Sequence, residues 1–253
     1  MARIRDAKGK GSTNSYSRLF NNDEVGTLIT KIHSTSISQG TELEKIIKEM
    51  TIPNLFIDDF LGKCNRRDSC VSNGVYVYYY KDCIRSKFLE ELEKSISATK
   101  TKHNYPDFLI FEINNECQQC WLCELKVGHT FDTKKSRSEF ESLNLTACEL
   151  GRILQMRIGF FICCFFAESR EEIEKGLKSE FLLENIRTGA ELCELLNISL
   201  NEVKNKLNAD CEDNYKYFVT ELASVSGFEI EHTKILSDHI SEEINIDEQD
   251  CCN

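Results

Sequence analysis

The sequence has no apolar run long enough to cross a bilayer, no glycine-rich phosphate loop, no internal repeat, and only two prolines in 253 residues. Each lack removes a class of protein. The longest apolar stretch, Ile158 to Ala167, suits a buried strand and falls short of a membrane span, so no membrane association is expected. Without a phosphate-cradling loop, an ATP-driven motor is not expected. Met1 to Asn14 is basic and polar without an apolar core, so no secretory leader is expected. The five histidines (His33, His103, His129, His232, His239) form no His-x-x-x-His pair and no zinc-finger spacing. Excess positive charge is missing as well, since the net charge is −11.

That acidity does not exclude a polyanionic partner, because it is unevenly spread. Glu168 to Asn253 carries 21 acidic and 8 basic residues, a net of −13, which leaves Met1 to Ala167 at +2. Net charge governs solubility more than the choice of site. Hydrophobic content of 41% is enough for a core of its own. With such a core, thirteen cysteines, an odd count, read as small apolar residues of a reduced, cytoplasmic protein. Cys117-Gln118-Gln119-Cys120 has the spacing of half a zinc knuckle, with Cys64 and Cys70 as the remaining candidates. Structural zinc through Cys117 and Cys120 is not favoured. Cys123 belongs to a strand interior, and five residues separate Cys64 from Cys70.

Residues 1–15, with Arg3, Arg5, Lys8 and Lys10 among Gly, Ser and Asn, read as a flexible basic arm. Helical spacing covers Asn22 to His33 and again Thr41 to Met50, with a polar break over Ser34 to Gly40. Gly74 to Lys81 is rich in valine and tyrosine and reads as a strand. Its tyrosines are better explained by packing than by base stacking. A helix is predicted over Ile84 to Ile96, strands over Phe108 to Ile113 and Trp121 to Val127, and a turn at Asn114-Asn115-Glu116. A helix over Ser136 to Met156 precedes the strand Ile158 to Ala167. Helices at Arg170 to Lys178, Glu191 to Leu196 and Leu200 to Leu207 follow, and an acidic tail occupies residues 239–253. The order predicts an α/β fold with a central mixed β-sheet flanked by helices and a helical C-terminal part.

The candidate chemistry lies in two adjacent strands. Asp107, in Tyr105-Pro106-Asp107-Phe108-Leu109-Ile110-Phe111, opens one apolar strand, and Glu124-Leu125-Lys126 sits in the next. Alternate strand residues share a face, so Glu124 and Lys126 project together. Two carboxylates offer the hard oxygens that Mg²⁺ prefers. A lysine beside them can hold an attacking water and offset charge on a phosphoryl group, which is what phosphodiester cleavage requires. Acid-x-Lys occurs four times, at Asp6, Glu124, Asp132 and Glu202, but only the Glu124 triplet lies in an apolar strand after another strand led by an aspartate.

Pro106-Asp107 with Glu124-Leu125-Lys126 resembles the PD-(D/E)xK nuclease superfamily. The segment from Glu124 to Ser136 looks like the corresponding strand and its continuation in type II restriction endonucleases. So do Gly40-Thr41-Glu42-Leu43-Glu44, matching a Gly-x-x-Leu-Glu helix pattern, and Arg187-Thr188-Gly189-Ala190-Glu191-Leu192-Cys193-Glu194-Leu195-Leu196. The resemblance covers roughly residues 40–200. It implies a nuclease domain over 16–238 with its core at about 40–200, and a restriction-endonuclease-like sheet of four or five strands. It implies Asp107 and Glu124 as Mg²⁺ ligands, Lys126 as the catalytic lysine, and Glu44 as an auxiliary acid for which Glu42 competes. Lys134 and Lys135, just past the site, are candidates for DNA phosphates.

The function implied is sequence-specific cleavage of double-stranded DNA to 5′-phosphate ends by a homodimer, with a cognate DNA methyltransferase as functional partner. Two other readings stand beside it: a structure-selective repair or recombination nuclease of the same superfamily, and a non-catalytic DNA- or protein-binding module.

Overall fold

A computed structural model describes residues 3–7, 15–51, 55–65, 72–83, 85–97, 105–114, 118–128 and 133–226. The chain divides into two compact units, residues 1–39 with 208–253, and residues 40–207.

The second unit is built on a five-stranded sheet in the order β1 (Gly74–Tyr79), β2 (Phe108–Ile113), β3 (Gln118–Lys126), β4 (Arg157–Cys164), β5 (Ile186–Thr188). β2 runs antiparallel to both β1 and β3, while β4 and β5 continue parallel to β3. The sheet is therefore mixed, and the α/β expectation holds. Apolar side chains on both faces explain why β2 and β4 read as unbroken apolar runs rather than as alternating ones.

On one face Leu109, Phe111, Cys120, Leu122, Phe160 and Ile162 pack with residues of α3 (Ile57–Asn65), α4 (Lys87–Ser97), α5 (Thr133–Leu154) and α6 (Arg170–Gly176). On the other, Phe108, Ile110, Cys123, Leu125, Phe161 and Cys163 meet Leu43, Ile46 and Ile47 of α2 (Asp23–Met50) and residues of α7 (Gly189–Leu196) and α8 (Leu200–Asn208). Trp121 is paired across the β3–β4 ladder with Gly159, where an added Cβ would lie 2.4 Å from the indole ring. Glycine is thus required by that close approach.

The break expected over Ser34 to Gly40 is absent, and α2 continues through it. The polar side chains there are absorbed by the helix itself. Thr35 Oγ1 donates to the Lys31 carbonyl at 2.9 Å and Ser38 Oγ to the Ser34 carbonyl at 2.9 Å. Two helices were not anticipated, α3 and α9 (Cys211–Ala223), nor was α1 (Ser15–Phe20). In the first unit α1 closes on α2 at Gly26, where a Cβ would stand 2.4 Å from the Ser17 nitrogen.

The basic arm differs from expectation where it is described. Ile4 is buried, its N–H donates to Asn214 Oδ1 at 2.8 Å, and Arg3 pairs with Asp210 at 3.1 Å and Arg5 with Asp213. The acids at the start of α9 take up both arginines. Lys8, Lys10, Cys70, Cys117, His103, His129, Asp132, most of the expected β2–β3 turn and the tail 239–253 lie outside the described residues. Among the described residues, no helix is long and apolar enough to cross a membrane.

Candidate active site

Asp107 stands one residue before β2, whose Phe108 pairs with Cys123 across the antiparallel β2–β3 ladder. Asp107 leaves that register, and its carboxylate settles on β3 close enough to Glu124 and Lys126 for their charges to act on one another. Asp107 is fixed from three sides. Its N–H donates to the Cys123 carbonyl at 3.0 Å, its carbonyl accepts from Tyr80 N–H at 2.9 Å, and its Oδ2 accepts from Leu125 N–H at 2.8 Å.

Glu124 and Lys126 share the α5 face of β3 with Cys120 and Leu122. That face is not an open surface, since Glu124 is buried and Lys126 largely so. Lys126 Nζ donates to Glu124 Oε1 and, at 3.3 Å, to Glu139 Oε1 on α5.

The electrostatics follow from crowding acids under cover. Burial, then the Glu44 charge, raises Asp107 to about 6, although the Leu125 N–H and the Lys126 and Lys81 charges oppose this. Burial, then Asp107, raises Glu124 to about 8, with Lys126 opposing and Glu139 reinforcing. Burial works to lower the Lys126 pKa, but Glu124, Glu139 and Asp107 together outweigh it and keep the ammonium charged. With one ammonium among three carboxylates, the fully ionised group would carry surplus negative charge.

Glu44 and Glu42 are distinguished by the helix. Glu44 is buried and its Oε2 accepts from Tyr79 Oη at 2.5 Å and from Lys81 Nζ at 2.7 Å. Glu42 is only partly covered and pairs with Lys45 at 3.4 Å. Burial and then the Glu44 hydrogen bond push the Tyr79 phenol upward. Lys134 and Lys135 are exposed on the first turn of α5, not in a loop. A groove of about 770 Å³ opens beside β1, lined in part by Lys48, Tyr79, Asp82 and Phe108, and it neighbours the carboxylate pair rather than containing it.

Sequence reasoning missed Tyr79, Lys81 and Glu139. A signal for Glu139 existed: stepping back by helical spacing from Leu154, Leu150 and Ala147 through Leu143 lands on Glu139, an acid on the apolar face. Of the cysteines considered for zinc, Cys64, Cys120 and Cys123 are buried in the two cores. Among the described residues no group of three or more His, Cys, Asp or Glu side chains is disposed to hold a metal ion unaided.

Over 226 residues, 89% of this chain and 95% of the other, the sequence is 35% identical to the type II restriction enzyme HhaII of Haemophilus parahaemolyticus. The chain belongs to the type II restriction enzymes. The coarse activity of the family, endonucleolytic cleavage of DNA, goes with that membership. No family model matches this restriction enzyme, and no solved structure does. The likeness spans both the strands that carry Asp107, Glu124 and Lys126 and most of the surrounding helices.

Proposed function

We propose that this restriction enzyme hydrolyses phosphodiester bonds in a short, specific double-stranded DNA sequence, through a PD-(D/E)xK site formed by Asp107, Glu124 and Lys126. The observation that carries the proposal is the Asp107 carboxylate accepting from Leu125 N–H, the residue between Glu124 and Lys126 on β3, with Lys126 bonded to Glu124. Likeness to a type II restriction enzyme over nearly the whole chain puts this reading ahead of the structure-selective nuclease and of the non-catalytic module.

The residues fit Mg²⁺. Asp107 and Glu124 present hard carboxylate oxygens, and both are pushed up first by burial and then by a neighbouring carboxylate, which a cation would relieve. Asp107 and Glu124 would hold Mg²⁺, which would supply charge relief on the phosphoryl oxygens and a more acidic water. The remaining work falls to the chain. Leu125 N–H holds the Asp107 carboxylate in place. Lys126 remains an ammonium and donates hydrogen bonds into the site, where it orients the attacking water and the scissile phosphate. Glu44, held by Tyr79 and Lys81, adds negative potential at Asp107 as an auxiliary acid. Lys134 and Lys135, at the N-terminus of a 22-residue helix, would meet backbone phosphates of the duplex.

Cleavage leaves 5′-phosphate and 3′-hydroxyl ends. A two-fold homodimer matches a palindromic site. The enzyme works in the cytoplasm of a prokaryotic host, where a cognate methyltransferase protects the genome. The test is digestion of unmethylated phage DNA by the purified protein. Discrete fragments with Mg²⁺ and none with EDTA are expected, with Lys126→Ala slower by about 10² to 10⁴. Intact DNA, an even smear, or discrete cutting unaffected by EDTA would overturn the proposal.

A further inference from the structure

Glu139 occupies a position where the fold alone would place a hydrophobic side chain. It lies in the second turn of α5, one step before Leu143, Ala147 and Leu150, all packed in the core. Only 7% of its surface is exposed. A carboxylate in that position carries a desolvation cost and is retained where a charge partner meets it. The other buried acid on this helix has a structural partner set: Glu149 binds Arg152 at 2.6 Å and accepts from Ser95 of α4. Glu139 instead faces Lys126 Nζ at 3.3 Å.

The pairing has a consequence for the site. Lys126 is bonded to Glu124 Oε1 within its own strand. On the reading above, Glu124 also serves a divalent cation, and an oxygen turned toward a cation is a weaker anchor for an ammonium. A lysine tied to Glu124 alone would lose its orientation when the site is loaded. Glu139 approaches from a different element and does not depend on how Glu124 is engaged. We infer that Glu139 is a positioning residue, a second anchor that holds the Lys126 ammonium in its working place during DNA cleavage. This inference rests on the assignment of Lys126 to catalysis.

The test compares wild type with Glu139→Gln, Glu139→Met and Lys126→Ala on a cleavable duplex. Met fills the same buried volume without a polar group, so it keeps the fold where Gln strains it. Single-turnover cleavage rate, duplex affinity in Ca²⁺, thermal unfolding and the Mg²⁺ dependence of the rate are read together. For both Glu139 variants the expected result is a rate constant lower by about tenfold or more, larger for Met. Duplex affinity stays within about threefold of wild type, and saturating Mg²⁺ does not restore the rate. A merely structural role would lower the active fraction and the unfolding temperature and leave the rate constant of the folded enzyme unchanged. Full rescue by Mg²⁺ would overturn the inference in favour of a charge effect on the cation. If Lys126→Ala is slow and both Glu139 variants are fast, the anchor role alone fails. If Lys126→Ala cleaves like wild type, the assignment of the site fails.

Discussion

At the scale of single residues, this protein concentrates charge where it is least solvated. Asp107, Glu124 and Glu139 are all buried and share Lys126, whose ammonium does not neutralise them all. The metal-free protein should therefore prefer some of these acids protonated. Both assigned acids have folded-state pKa values above the ordinary 3.8 and 4.5, at about 6 and about 8. The sign follows from that direction. The stability tied to the proton is complete below the unfolded-state values near 4, and is lost as pH rises through about 6 and then about 8, each unit being worth about 1.4 kcal/mol. In EDTA, wild type should lose thermal stability relative to Glu124→Gln between pH 5.5 and 8.5, and Ca²⁺ should shrink the gap because a cation takes the proton's place. Unfolding curves that keep a constant offset between the two proteins across that range would show that Glu124 is not perturbed as described.

At the scale of elements, the strands were the legible part. Valine and tyrosine in β1, and apolar runs in β2 and β4, announce a sheet, and acid-x-Lys in β3 marks the proposed site. The sequence could pair Asp107 with Glu124 only by adjacency of strands. How Asp107 seats on β3, with its N–H on the Cys123 carbonyl and its carboxylate on Leu125 N–H, depends on local backbone geometry that the sequence does not spell out. Helix α2 was misread because serine, threonine and glycine usually mark a loop, while here Thr35 and Ser38 bond back to the helix carbonyls. Glu139 stayed hidden because its partner is thirteen residues away on another element. The continuity of α2 is open to test at Gly40, where an added Cβ meets nothing within 4 Å and the backbone is helical. Gly40→Ala should stabilise by about 0.5–1 kcal/mol in urea titrations. A neutral or destabilising effect would point to a break at that position.

At the scale of the whole molecule, a chain of net charge −11 has its acids spread unevenly along the sequence. Acidic residues crowd the last third, and two of them, Asp210 and Asp213, take up Arg3 and Arg5. Lys134 and Lys135, exposed at the start of α5, are the side chains proposed to meet phosphates. Binding to a cognate duplex in Ca²⁺ should weaken steeply with salt, with a log–log slope of roughly −4 or steeper if about four or more phosphates are neutralised. A flat salt dependence would indicate that the duplex is held without the phosphate contacts proposed. The central claim is that Asp107 and Glu124 together form a divalent-cation site. Its most direct test is a crystal of the enzyme grown with Mn²⁺ and analysed by anomalous scattering. The account expects a peak bridged by the Asp107 and Glu124 carboxylates with Lys126 Nζ close by. Strong peaks elsewhere, and none between those two side chains at saturating Mn²⁺, would contradict it.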